Sequence, residues 1–201
     1  MADEDIDDFG ERWNARVTAI EKVLGPTDGI VGVNAVPFFL GYDAGGAADI
    51  IYFRKHIPGV IAVTSELIDG YEDQVENGLG NYELMICHRD DVEWGAGIIN
   101  RLAYYTLDAK LEPGETMDIC PAVPDGSTIT SLLFCDYARF EVRGRKAGLL
   151  LCLGITAVEL AECRRGRSSE VVEALKKQGV YPFTDLTRDS VRIKGKRWFG
   201  W

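Results

Sequence analysis

Positive charge is scarce in this 201-residue sequence: 22 lysines and arginines stand against 32 aspartates and glutamates, giving a net charge of −10. Such a surface repels phosphate backbones and anionic lipid, so no nucleic acid and no membrane is expected as a partner. Histidine is scarcer still, with only His56 and His88. Any acid–base or cysteine chemistry would therefore have few bases to draw on. The five cysteines, Cys87, Cys120, Cys135, Cys152 and Cys163, are odd in number and contain no CxxC. That excludes a disulfide framework and a cysteine-rich zinc site, and it points to a reducing cytoplasm. No apolar run is long enough to cross a bilayer, and the acidic start MADEDIDDFGE lacks the basic and apolar regions of a secretory signal.

What is present is a hydrophobic share of 46%, enough for one globular domain with a sizeable core. Residues 1–8 read as an acidic flexible tail. Asp8 and Glu11 have the spacing of a capping pair, and Trp13, Val17, Ile20 and Leu24 recur at helical spacing until Gly25-Pro26. Short strands are expected at FFLG around Phe38, at DIIYF, at VIAVT and at NYELMICHR. In the last of these Tyr82, Leu84 and Ile86 share one face, and Glu83, Met85, Cys87 and Arg89 the other. Trp94, Ile98, Leu102 and Tyr105 predict a helix over roughly 93–107, and a short strand is expected near Met117–Cys120. SLLFC and YARFEVR read as two further strands. AGLLLCLGI is apolar on both faces and so reads as a central strand. Thr156 and Glu159 have capping-box spacing, and SEVVEALKKQ forms a last helix before Gly179. This order lacks a regular βαβ alternation. It predicts an α+β fold, a single domain over 9–192 with a mixed or antiparallel sheet flanked by helices, and a basic, aromatic tail over 193–201.

The catalytic readings fail on chemistry. ENGLGNYELMICHRDD, residues 76–91, holds Gly78 and Gly80 but no lysine to reach a phosphate, and a strand rather than a helix follows the glycines. Cys87 and His88 are strand neighbours and face opposite ways, so they cannot pair as nucleophile and base. Asp90-Asp91-Val92-Glu93 sits where a helix begins, where acids favour the helix dipole, and Asp43 and Asp49 lack calcium-loop spacing. No catalytic, metal or cofactor site is expected.

Several segments in sequence order resemble the suppressor of fused family. They are VTSELIDG at 63–70, the loop and strand of Asn77, Gly78, Leu79, Gly80, Tyr82, Glu83, Leu84 and Arg89, and EWGAGIINRLAYY with Trp94, Leu102, Ala103 and Tyr105. They continue with AGLLLCLGITAVELAE and with Asp185, Leu186, Arg188 and Ser190. Departures are Asn81, inserted beside the usual aromatic, and Gly95, where the family often has proline. The likeness is to the family's conserved N-terminal domain. It implies a non-enzymatic protein-binding module. Animal members sequester a transcription factor through a short peptide, and bacterial stand-alone domains are thought to be immunity proteins that neutralise polymorphic toxins.

The expected partner is therefore a protein: a basic toxin domain, or in the alternative a peptide segment added to a sheet edge by a cytosolic regulator. A hydrolase using Cys87 or Cys120 is the third reading. The long acidic loop TSELIDGYEDQVENGLG is the expected contact, with Ser65, Glu66, Ile68, Tyr71, Glu72, Asp73 and Glu76 as its binding residues. The family resemblance implies that the corresponding loop helps hold the bound peptide.

Overall fold

The computed structural model describes residues 2–29, 31–70, 74–90 and 93–193, with side chains from Gly10 onward. Among these residues the chain runs α1 (Ala2–Leu24), β1 (Val31–Gly32), β2 (Ile50–Phe53), β3 (Val60–Thr64), β4 (Asn81–His88), α2 (Glu93–Asp108), β5 (Thr116–Asp118), β6 (Ile129–Val142), β7 (Arg145–Thr156), α3 (Ala157–Arg164) and α4 (Ser168–Lys177). The strands form one sheet in the order β1-β2-β3-β4-β7-β6-β5. Neighbours are antiparallel except β4 and β7, which pair in parallel with Tyr82 opposite Gly148. The sheet is mixed and the fold α+β, as the element order predicts.

Both faces of the sheet are covered, and alternation along β4 shows how. Tyr82, Leu84 and Ile86 pack with Ile98, Ile99 and Leu102 of α2 on one face. Met85 and Cys87 pack on the other with Ile20 and Leu24 of α1, Leu160 of α3 and Val171 and Leu175 of α4. The central position of β4 explains why all eight of its residues are buried. Likewise β7 is buried from Ala147 to Thr156, and each fully buried leucine there contributes about 1.5–3 kcal/mol. β6 turns into β7 through Arg143 (φ 50) and Gly144 (φ 79). Two positive φ values suit the twist of a two-residue hairpin. No helix among the described residues is long and apolar enough to cross a membrane.

Four local expectations are corrected. Phe38–Leu40 is a 3-10 turn, not a strand, because Leu40 N and Gly41 N bond back to Pro37 O and Phe38 O at 3.1 and 3.0 Å. SLLFC and YARFEVR form one continuous strand, β6, in which a bulge at Asp136–Ala138 absorbs the break in alternation. The first helix begins at Ala2, so Asp8 and Glu11 stand inside it rather than at its cap. An acidic sequence suits the positive end of a helix dipole, so a run that reads as tail can also open a helix. Tyr105 points outward at 48% exposure, while Ile99, Ala103 and Thr106 complete the buried face of α2. From residue 194 the basic, aromatic tail lies outside the described residues.

Candidate partner-binding surface

The acidic loop is pinned from beneath by a buried carboxylate. Glu83 of β4 is fully buried, and its Oε1 accepts from Leu67 N and Ile68 N, both at 2.9 Å. Its Oε2 accepts from Thr64 Oγ1 at 2.6 Å. Arg16 of α1 lies alongside, with Nε 3.7 Å from Glu83 Oε1 and Nη1 donating to Ile68 O at 2.5 Å. Burial pushes the Glu83 carboxyl up and the Arg16 guanidinium down, each against the pull of the other. A buried carboxyl thus fixes the backbone of residues 64–68 through hydrogen bonds where the chain enters the loop.

That arrangement decides where the expected contact residues lie. Ser65 and Ile68 are buried, at 0% and 2% exposure, so they support the loop and offer no surface. The Ser65 hydroxyl donates to Asp49 O at 3.1 Å. Glu66 is half-buried, and its Oε2 accepts from Asp49 N at 2.8 Å. Burial raises the Glu66 carboxyl to about 7, with the nearby Asp49 and Glu83 adding to the effect. Glu76 is exposed and pairs with Arg145 at 3.2 Å. Asp69, at φ 54, pairs with Arg143 at 3.1 Å and Arg145 at 3.8 Å. The β6–β7 hairpin therefore supplies internal counter-charges to this acidic loop. Tyr71, Glu72 and Asp73 lie outside the described residues.

The glycines of residues 76–91 serve the turn. Asn77 and Gly80 exchange backbone bonds at 3.1 and 3.0 Å. Gly80 has φ 90, and a Cβ there would run into the Lys146 carbonyl of β7, whereas one at Gly78 would meet only the edge of Glu112. Only Gly80 is demanded by the fold. Cys87 and His88 do face opposite ways. Cys87 is buried among apolar side chains and its thiol is pushed up by desolvation, the reverse of an activated nucleophile. His88 donates from Nδ1 to Thr184 O at 2.8 Å and is held toward the neutral form by burial. His56 Nε2 lies 3.0 Å from the Tyr137 hydroxyl, and exposed Cys120 directs its thiol to Thr130 O at 3.8 Å. Among the described residues no group of three or more His, Cys, Asp or Glu side chains is placed to hold a metal ion.

Sequence reasoning missed a second surface. Phe38 is buried and stacks on Tyr104 of α2 with ring centroids 4.4 Å apart, while Tyr104 donates its hydroxyl to Phe38 O at 2.7 Å. Tyr42 meets the same ring edge-on at 5.7 Å. Asn34 Nδ2 and Asn100 Nδ2 both donate to Ala48 O, at 2.8 and 2.9 Å. Gly46 has no room for a Cβ beneath Tyr104 and the Pro37 carbonyl. The segment is thus anchored at Phe38, Gly46 and Ala48, yet it leaves Val33, Phe39, Leu40 and Tyr42 exposed at 73, 51, 54 and 69%. Beside it lies a cleft of about 420 Å³, bounded by Tyr42, Asp43, Ala47, Asn100, Arg101 and Tyr104. The available signal was VPFFLGYD, where bulky apolar residues crowd between a proline and a glycine too closely for a strand that buries alternate residues.

Comparison with known proteins bears on the family and the fold. The family model described as Suppressor of fused protein (SUFU) matches residues 47–189. No curated protein matches the sequence. Among solved structures, the chain is similar to one described as the Sufu-Fu complex, with TM-score 0.67 and 14% identity, covering 90% of this chain and 91% of that one. It is similar to a putative suppressor of fused homologue from Neisseria gonorrhoeae FA 1090, with TM-score 0.62, 14% identity and coverage of 92% and 99%. Drosophila Suppressor of Fused gives TM-score 0.65 at 13% identity, over 88% of this chain and 51% of that chain.

Proposed function

The chain belongs to the suppressor of fused family, and from that membership we propose that it is a non-enzymatic protein-binding module, an immunity protein that neutralises a toxin. The observation that carries the binding part is the shared fold with a protein solved as a Sufu-Fu complex, over 90% of this chain. The net charge of −10 supports a basic partner, because opposite charge steers encounter and raises the association rate. Kinship of fold with a Neisseria gonorrhoeae protein supports reading the partner in a bacterial setting. We place the protein in the reducing cytoplasm, a reading its five free thiols support.

In this reading the partner contacts the rim of the acidic loop: Tyr71, Glu72 and Asp73, with Glu66 and Glu76 at its ends. Buried Ser65 and Ile68 hold the loop in shape. A second reading, capture of a peptide strand by a sheet edge, is favoured by one feature. β5 ends the sheet, and a cavity of about 470 Å³ bounded by Leu111, Thr116 and Met117 opens beside it.

Purification from the native cell with mass spectrometry of retained proteins tests the proposal. A stoichiometric basic toxin domain is the expected result, and a bare monomer recovered from cells that make the candidate toxin overturns it. Tyr71→Ala and reversal of Glu72 and Asp73 to lysine are each expected to weaken that complex by about 1–3 kcal/mol. The reversal should act on the association rate and fade in high salt. Unchanged affinity in both would remove the loop from the interface.

A further inference from the structure

Exposed apolar side chains scattered singly need no explanation, whereas a cluster does. Among the described residues six large apolar side chains are exposed, and four of them, Val33, Phe39, Leu40 and Tyr42, fall within one ten-residue stretch. The stretch is not loose. Phe38 and Tyr104 clamp it to α2, and the two asparagine bonds to Ala48 fix its base. A loop anchored at Phe38 with Phe39, Leu40 and Tyr42 turned outward presents apolar area with little ordering cost on binding.

Charge identifies the kind of occupant. Residues 25–53 contain Asp28, Asp43 and Asp49 and no lysine or arginine. Asp28 is paired with Arg54 at 3.1 Å, and Asp49 accepts from Asn34 N at 3.0 Å. Asp43 stands exposed in the 3-10 turn Tyr42–Ala44, next to the exposed Tyr42 ring and across the cleft from Arg101. A second copy of the chain would bring another net charge of −10 to this apolar, acid-bearing face. A segment carrying cations would instead gain from Asp43 and from the faces of exposed aromatic rings.

We propose that Val33, Phe39, Leu40, Tyr42 and Asp43 form a docking surface for a protein segment that combines apolar side chains with lysine or arginine. The inference rests on the protein-binding reading but concerns a face separate from the acidic loop. Apolar anchors of the partner cover Phe39 and Leu40, and a cation sits between Asp43 and the Tyr42 ring.

Isothermal titration of the full chain with two synthetic amphipathic peptides, identical except that one carries lysine and the other glutamate between its leucines, tests the surface. The lysine peptide should bind. Its affinity should fall at least about tenfold in a Phe39→Ser/Leu40→Ser/Tyr42→Ser variant and severalfold in Asp43→Lys, and stay unchanged in Val158→Ser, a distant exposed control. Circular dichroism melts verify that the variants fold. Failure of the wild-type protein to bind, equal binding by the serine variant, or equal binding of the glutamate peptide each overturns the proposal. So does a wild-type dimer in sedimentation that the serine variant abolishes, because the occupant is then a second copy. A native toxin partner retained equally by the serine variant sinks this inference and leaves the protein-binding reading standing. Absence of any native toxin with the peptide result intact sinks the toxin reading and leaves this surface standing.

Discussion

Two buried arginine–carboxylate pairs hold two different pieces of backbone, and they are built differently. Arg188 meets Glu159 as a two-pronged fork, with both nitrogen–oxygen distances 2.6 Å. The same carboxylate accepts from Thr156 N at 3.0 Å and from Val191 N at 2.8 Å. Glu159 therefore caps α3 and clasps the strap of residues 184–191 at once. Arg16 meets Glu83 at 3.7 Å only, through its Nε, which like the Nε of Arg188 has no hydrogen-bond partner. Glu83 is held mainly by Thr64 and two backbone amides of the acidic loop. The fork gives Glu159 two charge-assisted bonds, whereas the looser pair leaves Glu83 raised by burial with Glu66 raised beside it. The strap is fastened by charge, and the loop by hydrogen bonds next to acids poised to hold protons.

The largest test of that contrast removes each arginine. Arg188→Leu should cost about 3–5 kcal/mol in urea unfolding, because a buried Glu159 loses its bidentate partner. Arg16→Leu should cost less, about 1.5–3 kcal/mol, in line with its single close bond to Ile68 O. Equal costs would erase the distinction. Gly80→Ala and Gly154→Ala sharpen it next. Gly80 has φ 90 and backs onto a main-chain oxygen, so its substitution should cost about 2–3 kcal/mol. Gly154 has no positive φ and meets the Thr184 and Ile129 side chains rather than main chain, so it should cost roughly half as much.

A smaller effect separates the regions by pH. The Glu66 carboxyl, at about 7 when folded, binds its proton more tightly than in the unfolded chain, where 4.5 is ordinary. It therefore favours folding fully below about pH 4.5, and that contribution is lost as pH rises to about 7. Glu66→Gln should flatten this decline, so the difference in melting temperature between wild type and variant should change between about pH 5 and about pH 8. A pH-independent difference would contradict the assignment. The smallest signal is thiol labelling. Thr184 N donates to Cys87 O at 2.7 Å and Phe183 packs in the cluster that buries Cys87. Site-resolved alkylation should label exposed Cys120 first in every variant, and label Cys87 faster in Arg188→Leu than in Arg16→Leu.

The sequence by itself determined what short-range physics determines. The Thr156–Glu159 capping box forms as spaced, with both reciprocal bonds present. α1 stops at Leu24 before Gly25-Pro26, the apolar periods place α2 and β4, and AGLLLCLGI is an interior strand because no residue along it tolerates water. The resemblance in ordered segments located the family before any coordinates did. Contacts between distant residues could not be read this way. Glu159 announces a cap three residues away, but nothing near it announces Arg188. Ile68 looks like a surface anchor in an acidic loop until Glu83 of β4 draws its amide inward. Phe38 looks like strand until Tyr104 of α2 stacks on it. Asp69 and Glu76 look like free charge until the β6–β7 hairpin brings Arg143 and Arg145 across. Propensity, capping and periodicity act within about one or two turns of chain. Burial and charge pairing are decided by whichever segments the sheet order makes neighbours, and that order exists only once the chain has folded.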